Sequence, residues 1–188
     1  MVAYHDTEWG TPLHDETRLF EMLCLEGAQA GLSWSTILRR RDGYRAAYEG
    51  FDAEAMATWD DARQEALMQD VRIIRNRAKI RAFRENARAT LAVRQSLGGL
   101  DAYLWGFVGG SPIVNRFAAR TDLPAQTELS RGLSRDLARR GFRFVGPVIA
   151  YAYMQSTGLV NDHQPDCFRH PESWADHGGI RAGHRSFG

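Results

Sequence analysis

The chain has only two cysteines, Cys24 and Cys167, in 188 residues. That is too few for a disulfide framework, so burial or metal ligation is the expected use of each thiol. No apolar run approaches the ~20 residues that a bilayer-spanning helix needs. The first residues, Met1-Val2-Ala3-Tyr4-His5-Asp6, carry neither the basic patch nor the apolar stretch of a secretory signal. A cytoplasmic protein with no membrane partner is the expectation. A strong charge of either sign is also missing, because 24 Lys and Arg against 23 Asp and Glu leave a formal +1. Internal repeats and long linkers are absent, and period-2 alternation is nearly so. What remains is 44% hydrophobic and 25% charged residues, enough for one compact domain or for two small lobes sharing a cleft.

The apolar spacing is helical. Asp15 can cap a helix that carries Leu19, Phe20, Met22, Leu23 and Leu25 and runs to about Glu26 or Gln29. Gly31 breaks it, and Ser33 can cap the next, with Trp34, Ile37 and Leu38 facing inward. Short helices are expected after Asp52 and Asp60, a long one from Arg77 to Ser96 ending at Gly98-Gly99, and another short one from Leu100 to Val108. Ser130 or Ser134 starts a helix that Gly141 terminates, and Pro147 opens a last buried helix ending near Gly158. The chain reads as all-α. Residues after Cys167 lose apolar periodicity, so residues 169–188 are expected to form a disordered tail. His170, His177 and His184 in it are either a metal-binding tract or solvated side chains.

Three groups of residues can carry chemistry. Glu26 follows a strongly apolar run, where an unpaired carboxylate is costly. Its partner is either a backbone amide or Arg, or a cationic or amino-bearing ligand. Trp34, Tyr4 and Trp9 are aromatic surfaces that serve either as core or as platforms for a planar base. Between Arg72 and Arg94, eight basic residues face the single acid Glu85, either as a solvated helix face or as a footprint for phosphates. Within that run, Val71-Arg72-Ile73-Ile74-Arg75-Asn76-Arg77-Ala78-Lys79-Ile80 reads as a turn between helices whose following N-terminus can take a phosphate, with Arg75, Arg77 and Lys79 adding charge. This is the pattern of a helix-hairpin-helix, although the hairpin glycine is missing. Finally, His163 and Cys167 have a spacing that one metal ion can span, with His5 as a candidate third ligand. The alternative is a surface histidine near an unrelated thiol.

Four ordered blocks, residues 4–10, 25–34, 75–80 and 141–163, with Cys167 following, resemble the 3-methyladenine DNA glycosylase I family. Their cores are Tyr4-His5-Asp6, Leu25-Glu26-Gly27, Arg75-Asn76-Arg77 and Gly141-Phe142-Arg143-Phe144-Val145-Gly146-Pro147. The resemblance implies an all-α helix-hairpin-helix DNA glycosylase whose structural zinc ties the two chain ends together. It implies that Glu26 recognises the damaged base while Tyr4 and Trp34 stack around it, and that His5, His163 and Cys167 are zinc ligands. The family pattern carries a further Cys upstream of the Tyr-His-Asp block that this chain does not contain. The fourth ligand is therefore not identified: an upstream start is the favoured expectation, the alternatives being loss of that segment or a substitute in the tail such as His170. Arg72 also stands where a glycine is often found.

The implied activity is monofunctional hydrolysis of the N-glycosidic bond of 3-methyladenine in double-stranded DNA, leaving an abasic site. Glu26 is the catalytic residue of this reading, and Lys79, the lysine that could otherwise form a Schiff base, is assigned to the hairpin. Ala30, Gly31 and Leu32, in the turn beside Glu26, are expected to fill the gap left by the extruded nucleotide, unless Leu32 is core. Residues 1–168 form the glycosylase domain, two helical lobes around a base-binding cleft, acting as a monomer. The competing expectation is a non-catalytic module that binds alkylation damage.

Overall fold

The computed structural model describes residues 1–117 and 119–171. Ten α-helices dominate the described residues: α1 (Val2–Thr7), α2 (Glu16–Gln29), α3 (Trp34–Leu38), α4 (Arg41–Ala47), α5 (Ala53–Thr58), α6 (Asp61–Leu67), α7 (Arg77–Leu97), α8 (Leu100–Gly106), α9 (Glu128–Arg139) and α10 (Pro147–Ser156). Two strands of two residues each, β1 (Ile113–Val114) and β2 (Val160–Asn161), pair in parallel. They correct the all-α expectation at one point, because two residues are too short for alternation to register. No helix of the described residues is long and apolar enough to cross a membrane.

The side-chain caps set the boundaries. Asp15 accepts from the Arg18 amide at 2.8 Å and Ser33 from the Thr36 amide at 3.3 Å, while Asp52 and Asp60 cap α5 and α6 in the same way. Gly98, left-handed at φ 88°, ends α7. The α9 boundary differs from expectation. Thr127 is its cap and Ser130 sits in the first turn, each side chain bonding the other's amide, so that neither Ser130 nor Ser134 opens the helix. The helices α1 and α4 escaped the sequence reading, being short and without side-chain caps.

At the centre lies α2, in contact with α3, α7, α8 and α10. Every residue from Leu19 to Ala28 is buried, so the helix is enclosed on all sides and Glu26 has no solvent face to occupy. Its first residue also organises a neighbour: the Glu16 carboxylate accepts from the Leu100 and Asp101 amides at 2.9 and 2.8 Å, capping α8 from outside. Gly99 makes room for it, since a Cβ there would stand 2.3 Å from that carboxylate. The ends of the described chain meet on the same side of the molecule. Gly10 and Leu13 amides donate to the carbonyls of Gln155 and Thr157, both at 3.0 Å. Arg169 donates to the Thr11 hydroxyl and His170 is fully buried, so these two residues of the expected tail pack against the fold. His177 and His184 lie outside the described residues.

Candidate active site and metal centre

Tyr4 on α1 and Trp34 at the start of α3 come together with ring centroids 5.5 Å apart and planes inclined at 50°. Both line a cavity of about 620 Å³ whose other walls include Trp9, Gln155 and Asp162. Glu26 is 3% exposed and does not reach that lining, yet its charge acts on the Tyr4 hydroxyl. Burial pushes the Glu26 carboxyl up to about 8, with the neighbouring Ser156 hydroxyl opposing the shift. Burial first, and then the charges of Glu26 and Glu8, raise Tyr4 far above the ordinary phenol range. Three buried polar atoms here have no hydrogen-bond partner among the described residues: the Tyr4 hydroxyl and Trp34 Nε1, on residues that line the cavity, and Oε2 of Glu26, whose charge acts on Tyr4. Such orphans are uncommon in a native interior, and they suit a polar planar ligand at the Tyr4–Trp34 pair.

Sequence reasoning missed two supports of this wall. The Asp162 carboxylate, 3% exposed, accepts from Tyr151 and Asn115 at 2.6 Å and from Gln155 at 2.7 Å, joining α10, β2 and the residue after β1. Arg41 grips Glu8 with both terminal nitrogens, at 2.6 and 2.8 Å, and holds its carboxyl below the usual range. The partners lie 33 or more residues apart except within the α10 pair, so no local pattern announces them.

The metal candidates converge as expected. Ligand atoms of His5, His163 and Cys167 all lie within 4.8 Å of one another. Cys167 Sγ stands 3.6 Å from His5 Nε2 and 3.5 Å from His163 Nδ1. A tetrahedral zinc with Zn–S of about 2.3 Å and Zn–N of about 2.0–2.1 Å would separate sulfur and nitrogen by about 3.6 Å, so the three atoms sit at ligand spacing. The remaining ring nitrogens are occupied: His5 Nδ1 donates to Asp6 Oδ1 at 2.7 Å and His163 Nε2 to the Trp9 carbonyl at 3.1 Å. These bonds leave the inward nitrogens as acceptors, the orientation a metal requires. Burial lowers the His163 pKa, which also favours the neutral ligand form. His170, although buried, is not in the cluster.

The basic run is less available for DNA than its composition promised. Arg72 pairs with Asp70, Arg77 with Glu65, Arg84 with Asp61 and Arg94 with Glu54, while Arg88 donates to the Ala57 carbonyl. The acids come from α5, α6 and the segment after α6, which sequence counting over residues 72–94 does not see. Arg75 and Arg81 are exposed, with no hydrogen-bond or ion-pair partner among the described residues. Asn76 caps α7 by accepting from the Lys79 amide at 3.1 Å. Lys79 corrects the hairpin assignment. It is 8% exposed and turned inward, donating to the Ala28 carbonyl at 2.8 Å and the Ala30 carbonyl at 2.7 Å. Its ammonium is held at the end of the helix that carries Glu26 rather than at the surface.

Gly31 and Leu32 do stand at the surface. Gly31 has φ 76°, and a Cβ on it would meet nothing, so the glycine serves the turn rather than a close approach. Leu32 is 39% exposed and is not core. A second hairpin, between α9 and α10, went unread. Its Phe144 is exposed at φ 55°, and Gly146 leaves the α10 amides without a side-chain cap. Gly27 lies against it, because a Cβ there would come within 3.1 Å of the Phe144 Cβ. The Gly-Phe-Arg-Phe-Val-Gly-Pro run was the available signal.

The family model described as methyladenine glycosylase matches residues 1–170. DNA-3-methyladenine glycosylase 1 of Escherichia coli K12 is 46% identical over 170 residues, 90% of this chain and 91% of that protein. A crystal structure of a 3-methyladenine DNA glycosylase I superposes with a TM-score of 0.88 at 47% identity, covering 90% of this chain and 93% of that one. A Tyr-to-Phe variant of a 3-methyladenine DNA glycosylase I, crystallised in complex with 3-methyladenine, gives the same TM-score at 34% identity, over 90% and 91% of the two chains. The chain belongs to the methyladenine glycosylase family.

Proposed function

We propose that this protein is a base-excision glycosylase that hydrolyses the N-glycosidic bond of 3-methyladenine in double-stranded DNA and leaves an abasic site. The observation that carries the reading is the tilted Tyr4–Trp34 pair, whose hydroxyl and Nε1 are buried without partners among the described residues, together with the likewise unpartnered Oε2 of Glu26, whose charge acts on Tyr4. A purine has ring nitrogens, an exocyclic amine and two flat faces, and so offers a partner to every one of them. The base is inaccessible within a duplex, so the nucleotide must be extruded, at a cost of a few kcal/mol that is smallest for a damaged pair. Leu32, exposed on its glycine turn, would fill the gap, and Arg75 with the α7 N-terminus would meet the phosphates.

A purine methylated at N3 is cationic while bonded to its sugar and leaves as a neutral base, so little acid catalysis is needed. Binding a cation tightly in the ground state does not itself speed the reaction, because only interactions stronger in the transition state do. With its carboxyl pushed up to about 8 by burial, Glu26 is mostly protonated at neutral pH, and a cationic base beside it would favour the ionised form. The rate then comes from strain on extrusion and from stabilising the oxocarbenium-like sugar. The chemistry is monofunctional in this reading, since the Lys79 amine is engaged by two carbonyls rather than free to attack the sugar.

His5, His163 and Cys167 would hold a structural Zn²⁺, which ties α1 to the segment after β2 and takes no part in bond breaking. The deciding experiment incubates the purified protein with methylated duplex DNA and measures the free base released. Release of 3-methyladenine that falls by at least ten-fold in Glu26→Gln is expected. Retention of damaged DNA without release would instead identify a damage-binding module.

A further inference from the structure

Of the 24 Lys and Arg residues in this chain, one is a lysine, Lys79. It is also the basic residue of the hairpin that is buried, while Arg75, Arg77 and Arg81 around it are exposed. Its ammonium donates to the carbonyls of Ala28 and Ala30. The helix leaves both carbonyls without their usual donors: the Leu32 amide that would serve Ala28 turns to Gln29 at 2.6 Å, and Ala30 lies past the last helical residue. A slender stem ending in a compact three-donor group suits two converging carbonyls, whereas the planar fork of an arginine does not.

The two ends of this contact belong to different parts of the proposed reaction. At one end, Lys79 is in the first turn of α7, its amide held by Asn76, directly after the exposed Arg75 and Arg77. At the other, Ala28 follows Glu26 by two residues and Ala30 precedes the Gly31-Leu32 turn. We infer that Lys79 is a positioning residue that couples the DNA-contacting hairpin to the turn presenting Leu32, so that seating the hairpin on the backbone fixes where the wedge enters the duplex. This inference rests on the glycosylase reading. Lys79 touches neither base nor sugar in it and acts through the carbonyls of Ala28 and Ala30.

A merely structural role would weaken base recognition and duplex excision together, and a coupling role separates them. The test compares wild type with Lys79→Met in two measurements: single-turnover release of 3-methyladenine from methylated duplex DNA, and affinity for free 3-methyladenine followed by Trp fluorescence. The expected result is a loss of duplex excision of at least ten-fold with free-base affinity within three-fold of wild type. Unchanged excision, or equal losses in both measurements, would overturn the inference. Lys79→Gln, which keeps an amide donor without the charge, is read in the same way if the Met variant does not fold. Failure of both to fold shows that Lys79 holds the core rather than the turn, and overturns it too. A wild type that releases no base would instead remove the glycosylase reading while leaving the Lys79 contact as it is.

Discussion

Glu26 ties stability to pH through one buried carboxyl. Its folded pKa of about 8 lies above the 4.5 of an unburied glutamate, so between these values the folded state binds more protons than the unfolded state. The contribution is complete below pH 4.5, declines as pH rises through the window, and is lost above about 8. Glu26→Gln removes the dependence. In denaturation series at pH 5, 7 and 9 the variant should gain on wild type as pH rises, by on the order of a few kcal/mol in total. A constant difference across the series would place the carboxyl in contact with water. Tyr4 separates function from stability in another way. Its hydroxyl is buried without a hydrogen-bond partner among the described residues, so removing it leaves none of them unpaired. Tyr4→Phe should therefore be as stable as wild type within about 1 kcal/mol, or more stable, while releasing 3-methyladenine more slowly. A variant that unfolds more readily would mean that the hydroxyl has a structural partner. Leu32→Ala, at an exposed position, should cost less than about 0.5 kcal/mol of stability yet lower excision from duplex DNA. Full excision by that variant would remove the wedge.

At the scale of elements, most of the helices that the sequence announced carry a local signal at the boundary. Asp15, Ser33, Asp52 and Asp60 cap α2, α3, α5 and α6, Gly98 ends α7 and Pro147 opens α10, each a local interaction that leaves a local signature. The capping of α8 is different, since it comes from Glu16 across the fold. Glu16→Ala should leave the Leu100 and Asp101 amides unpaired and lower stability by about 1–3 kcal/mol, measurable by urea denaturation, with little change in base release. A loss equal to that of an ordinary surface substitution would mean that water replaces the cap. The same distinction divides the site. Glu26, Tyr4, Trp34, His5, His163 and Cys167 were legible as residue types in fixed blocks. The Asp162 network, the inward turn of Lys79 and the pairing of the α7 arginines were not, because each depends on a partner supplied by another element.

For the whole molecule, the His5–His163–Cys167 cluster joins the two ends of the described chain. A cross-link closing a loop of that length would stabilise by roughly 4–5 kcal/mol if the ends were otherwise free, on the model of chain entropy applied to disulfides. Here they are not free. The Gly10–Gln155 and Leu13–Thr157 bonds and the Arg169–Thr11 contact already hold them. A metal held there would therefore add less to global stability and more to the placement of what lies beside it. Tyr4 precedes His5 by one residue, and Asp162 precedes His163 by one, so a metal on the cluster would brace two residues of the 620 Å³ cavity wall. Zinc analysis of purified protein should find up to one equivalent, and chelation should lower the melting temperature by only a few degrees while weakening free 3-methyladenine binding by more than the stability loss implies. Asp6→Asn probes the same linkage without touching a ligand atom. With its bond to His5 Nδ1 weakened, zinc affinity measured against a chromophoric chelator should drop about 10–100-fold, and the metal-free protein should melt as wild type does. Unchanged affinity would show that His5 needs no second partner to present Nε2. Unchanged base binding after complete chelation would show that the contacts between the chain ends hold Tyr4 in place by themselves.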